Sequence, residues 1–105
     1  VVRDDVRRAL GELQHLVRPP ARLTVLVFPF MAERSTWLPA QSRAHDDALA
    51  ILAELQIRHF DLLPVLAQAL RDGIDVQEDP GDQWHPSPAM AARIAEHLVA
   101  QGLLQ

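Results

Sequence analysis

The run RLTVLVFPF, residues 22–30, constrains the fold of this chain more than any other stretch. From Leu23 to Phe28 only Thr24 is not apolar. A nearly continuous β-branched and aromatic run of that length reads as a parallel strand covered on both faces, ended by Pro29. Before it, DDVRRALGELQHLVRPP places Val6, Ala9, Leu10, Leu13, Leu16 and Val17 at the i, i+3, i+4, i+7 spacing of one helix face. Asp4 and Asp5 sit at the dipole-favoured end, and Pro19 and Pro20 stop the helix.

After the strand, residues 30–42 form a long connection carrying Phe30 and Trp37. Helical spacing returns in SRAHDDALAILAELQ through Ala44, Ala48, Ile51, Leu52 and Leu55. IRHFDLL predicts a second short strand over 57–62, and LPVLAQALRDG a short helix with Pro64 in its first turn and Gly73 as its stop. IDVQEDPGDQWHP is loop. Ser87 then reads as an N-cap and Pro88 as the first residue of a last helix, with Met90, Ile94 and Leu98 on one face down to Gly102.

Alternation of this kind belongs to an α/β fold with a parallel sheet. The strands fall short, however: this chain supplies only about two, where a doubly wound domain has about five. The expectation is therefore that residues 1–105 form the C-terminal half of a single domain. The missing strands would come from an upstream segment, a companion chain or a second copy. Val1 stands where a complete chain would have Met, with a charged helix already under way, which carries the same expectation. An uncovered sheet edge predicts a complex subunit, a swapped oligomer or an aggregation-prone chain.

Composition narrows the function classes. Hydrophobic residues make up 49 % of the 105, enough for a core and against disorder. The net charge is −4, and the basic residues are ten scattered arginines with no lysine. That leaves no basic stripe for nucleic acid and no polybasic membrane patch. Absence of cysteine excludes disulfides, thiolate catalysis and cysteine-based metal sites. No apolar run approaches a membrane span, the first residues lack a signal-peptide pattern, and compartment is left open between cytoplasm and export.

The chemistry concentrates in DQWHPS, residues 82–87. An acid three residues before a histidine in a turn can fold back onto one ring nitrogen and leave the other facing a cleft. That is the arrangement in which a carboxylate orients a general base for a serine nucleophile. Pro86 and the Ser87-Pro88 helix start stiffen it. The alternative for an isolated match is a turn aspartate beside a surface histidine.

Taken together, VLVFPF (25–30), HFDLLPVL (59–66), DQWHPSPAMAARIAEHL (82–98) and the terminal GLL (102–104) resemble the C-terminal half of the SGNH (GDSL-type) hydrolases. The resemblance covers roughly residues 22–105 and is most specific at DQWHPS. It implies a partial three-layer α/β/α, flavodoxin-like fold and a serine esterase, lipase or acyl-transfer activity on a small ester or acylated substrate. It gives His85 the role of general base and Asp82 that of its orienting acid, with no metal or organic cofactor required. The family's Gly-Asp-Ser nucleophile block and its oxyanion Gly and Asn blocks are absent, and the serines here are Ser35, Ser42 and Ser87. The 105 residues alone are accordingly expected to be inactive.

Phe30, Met31, Trp37 and Leu38 are candidates for an acyl pocket at the end of the first strand, with Trp84 as its opposite wall. The alternative is core and edge packing, favoured most for Leu38. The acidic residues Asp72, Asp75, Glu78, Asp79 and Asp82 lack the alternate spacing and central glycine of an EF-hand loop and read as a solvated turn. His15, His45, His59 and His97 are isolated and share no zinc-ligand spacing. Asp61 reads as a cap for the helix near Leu63. A second reading is a non-catalytic α/β binding or assembly module that pairs with another chain.

Overall fold

The structure, a computed structural model, describes residues 2–103. It is mixed α/β: α1 (Val2–Leu16), β1 (Thr24–Val27), a 3₁₀ turn (Arg34–Thr36), α2 (Pro39–Glu54), β2 (Arg58–Asp61), α3 (Leu63–Arg71) and α4 (Pro88–Ala100). These fall into two units, one built from residues up to 27 with 39–61, the other from 28–38 with the residues from 62 on.

The first unit holds α1, α2 and both strands. β1 and β2 pair in parallel with Thr24 opposite Arg58 and Val27 opposite Asp61, so the two strands end together. Val27, Leu52 and Ile57 form its buried centre, with Leu10, Leu23, Val25, Leu49 and Leu55 packed around them. The expectation of a strand covered on both faces fails: Thr24, Val25 and Leu26 are only partly buried. A strand with one neighbour leaves its other edge and part of its faces open. Among the described residues of α1, Leu10 packs against this centre, whereas Val6, Leu13 and Leu16 stay exposed.

Helix α2 begins at Pro39, three residues before the expected start, because proline suits a first helical turn. Its inward face also differs from expectation. Ala44 is exposed and His45 is buried, in step with Leu49 and Leu52 at i+4 and i+7. The helix ends with Gln56 in the left-handed region at φ 56°, while Ile57 N–H reaches back to the Leu52 carbonyl at 3.0 Å. Gln14 Nε2 donates to the Leu55 carbonyl at 2.8 Å and ties α1 to that corner.

The second unit packs α3 against α4. Leu66 and Ala69 of α3 and Met90, Ile94 and Leu98 of α4 are buried, as their spacing predicts. Gly73, at φ 75°, closes α3 with Ile74 N–H on the Ala69 carbonyl, and Arg93 on α4 pairs with Asp72 at 2.7 Å. Ser87 is the N-cap of α4: its Oγ accepts from Met90 N–H at 3.1 Å and donates to the Asp75 carbonyl at 2.6 Å. The cap of α3 departs from expectation, because Leu62 occupies that position and no side chain bonds the helix end. Asp61 instead meets His45.

Candidate functional site

The loop between α3 and α4 is organised by backbone pairing across its neck. Gln77 and Pro86 form an antiparallel bridge, Glu78 N–H donates to the His85 carbonyl at 3.1 Å, and Ser87 N–H donates to the Val76 carbonyl at 2.8 Å. At its tip, Asp79-Pro80-Gly81-Asp82 closes a turn in which Asp82 N–H reaches the Asp79 carbonyl at 3.0 Å. Pro at the second position and Gly81 at φ 87° in the third are what a type II turn requires. The Gln77 side chain braces the interior, accepting from Gly81 N–H at 2.8 Å and donating to the Met31 carbonyl at 2.9 Å. Met31 N–H in turn donates to the Gln83 carbonyl at 2.8 Å.

That frame sets the side chains of DQWHPS. Asp82 Oδ1 accepts from Trp84 N–H at 2.8 Å and from His85 N–H at 3.2 Å, which fixes the carboxylate against its own loop. Its Oδ2 lies 2.8 Å from His85 Nδ1. An ionised carboxylate only accepts, so Nδ1 carries the hydrogen and Nε2 is the nitrogen left for other chemistry. The His85 side chain is 68 % exposed and Asp82 23 %. The Trp84 amide and then His85 hold the Asp82 carboxyl below the usual carboxylate range. Asp82, first by its hydrogen bond and then by its charge, raises the His85 imidazole above its ordinary value, with Glu78 and Asp79 adding to the same direction.

The aromatic candidates divide. Phe30 sits edge-on to Trp37, centroids 5.2 Å apart, and edge-on to Trp84 at 5.1 Å, so the three form one chain of rings beside the loop. Trp84 is 72 % exposed and Phe30 is half-buried. Met31 and Trp37 are buried, with the Trp37 indole N–H on the Ala32 carbonyl at 2.9 Å. Leu38 is exposed. A cavity of about 490 Å³ opens between α3 and the 3₁₀ turn, floored by Leu63, Ala67 and Leu70 and rimmed by Arg34, Ser35 and Arg71. None of Phe30, Met31, Trp37, Leu38, Asp82, Trp84 and His85 lines it.

In this unit the serines are Ser35 and Ser87. Ser87 is consumed by its cap and the Asp75 carbonyl, and neither hydroxyl bonds His85. Sequence reasoning missed a second histidine–acid pair: in the first unit, His45 Nε2 lies 3.0 Å from Asp61 Oδ1, with the His45 side chain 2 % exposed. The available signal was a polar residue in register with Leu49 and Leu52, which a buried helix face tolerates only with a partner. For metal binding, the sequence reading also weighed the acids of the 78–85 loop apart from His85. Glu78, Asp82 and His85 each bring one ligand atom to within 4.8 Å of the others. No protein-family model, curated protein or solved structure matches the chain.

Proposed function

We propose that this chain carries the base and orienting acid of a serine ester hydrolase of the SGNH type, with the nucleophile and oxyanion donors supplied by residues outside these 105. The observation that supports this reading is the 2.8 Å hydrogen bond from His85 Nδ1–H to the Asp82 carboxylate on a loop braced on both sides. It leaves Nε2 for a serine hydroxyl. In that chemistry Nε2 takes the proton as the serine oxygen attacks the ester carbonyl and returns it to the departing alcohol. Asp82 keeps Nδ1–H in place and stabilises the imidazolium between the two steps. Trp84 and Phe30 form an apolar wall for the acyl or alcohol part, and the chemistry needs no cofactor.

The test is fluorophosphonate labelling of the protein that contains these residues, followed by peptide mapping. Label on a serine outside residues 1–105, lost in His85→Ala, is expected. Labelling that His85→Ala leaves unchanged overturns the reading. The large exposed surface of Trp84, together with exposed Phe28 and Leu38, favours as second reading a non-catalytic module that docks on another chain. In that case no serine is labelled and Trp84→Ala weakens the assembly.

A further inference from the structure

We propose that Glu78, Asp82 and His85 form a binding site for a divalent transition-metal ion of the zinc class. The donor set is one imidazole nitrogen and two carboxylate oxygens, all within 4.8 Å of one another. Oxygen-only clusters select calcium or magnesium, whereas an imidazole in the set shifts preference to zinc and its neighbours. Three protein donors leave the remaining coordination to water.

Two features of the loop make this more than a crowd of acids. The backbone bond from Glu78 N–H to the His85 carbonyl holds residues 78 and 85 opposite each other, so their side chains share one side of the bridge by construction. His85 Nδ1 and Asp82 Oδ2 stand 2.8 Å apart, so a spread of roughly half an ångström sets them as neighbouring tetrahedral ligands of an ion roughly 2.1 Å from each. Glu78 is exposed and its carboxylate makes no hydrogen bond or ion pair among the described residues, so it is free to close onto the ion. The charge also lacks compensation. Among the described residues no arginine pairs with Glu78, Asp79 or Asp82, although ten arginines are present in the chain. Three carboxylates therefore face a single imidazole, and a dication supplies what they lack.

Binding is an exchange: the ion takes the ring nitrogen and carboxylate oxygens, and the Nδ1 proton leaves to solvent. The bond that orients His85 is then replaced by a metal bridge. That the ion switches off ester hydrolysis rests on the proposed function; that it binds does not.

The protein, stripped with chelator, is titrated with zinc chloride by calorimetry while the histidine ring signals are followed by NMR. One ion per chain is expected, with the His85 ring signals shifting and the affinity falling at least about tenfold in Glu78→Gln. Failure of the wild type to bind overturns the proposal, as does binding unchanged in both Glu78→Gln and Asp82→Asn. Shifts confined to His15, His59 or His97 overturn it too. Calcium chloride is the control, and tighter binding of calcium than of zinc contradicts the ion class. Zinc binding without serine labelling sinks the esterase reading alone, whereas labelling without zinc binding sinks this one alone.

Discussion

At Asp82 and His85 the geometry sets the sign of every pH effect. Asp82 raises the His85 imidazole and is itself held low, so the charged pair persists from the depressed carboxyl value up to the raised imidazole value. The His85 contribution to loop order is complete below the unfolded imidazole value and fades as pH climbs through the raised one. The Asp82 contribution is complete above the unfolded carboxyl value and fades as pH falls through the lowered one. NMR titration of chelator-treated protein should place His85 above an ordinary histidine, and Asp82→Asn should bring it back down. A general base works deprotonated, so labelling should fall away below the raised value. Asp82→Asn should move that acid limb to lower pH while cutting the rate by on the order of 10³–10⁴. The pair itself was readable from sequence, because an acid and a histidine three residues apart in a turn have few other places to point. The His45–Asp61 pair was not readable that way, since its partners meet only once α2 has packed against β2.

Among the elements, the helix ends carry the clearest tests. Ser87 was legible as a cap because Ser-Pro before an apolar stripe has one strong structural reading. Ser87→Ala should destabilise the protein by about 1–2 kcal/mol in denaturant melts, since Met90 N–H loses its acceptor and the Asp75 carbonyl its donor. The end of α2 has the opposite problem. Gln56 holds a left-handed conformation that costs a side chain roughly 1–2 kcal/mol, and α3 closes the same way with Gly73. Gln56→Gly should therefore gain about 0.5–1 kcal/mol after the extra freedom of glycine in the unfolded chain is subtracted. A loss in that measurement would mean that the Gln56 side chain makes up the strain. The α2 start was misjudged because a loop of apolar and polar residues hides a helix onset that only Pro39 signals. The neck of the 77–86 loop was invisible for a related reason, since two residues of bridge pairing leave no periodicity to read.

For the whole molecule, the count of strands was the most informative reading the sequence allowed. Two parallel strands are too few to close a sheet, and both keep an unpaired edge. In the same unit, Val6, Leu13 and Leu16 on α1 are also exposed and add apolar surface. We expect light scattering on the isolated 105 residues to find an oligomer or a polydisperse species, and a well-dispersed monomer would contradict that. The three-layer expectation needs further strands beside β1 or β2, and the same measurement on a longer chain should then turn monodisperse.

The Gln77 side chain gives the loop a mechanical character. One amide bonds Gly81 at the turn and Met31 next to Phe30, while Met31 N–H donates to the Gln83 carbonyl. The tip of the loop and the Phe30 segment thus share one hinge pin. A push on the Phe30 segment is therefore felt at the turn that leads into Asp82, and Gln77→Ala should loosen both at once.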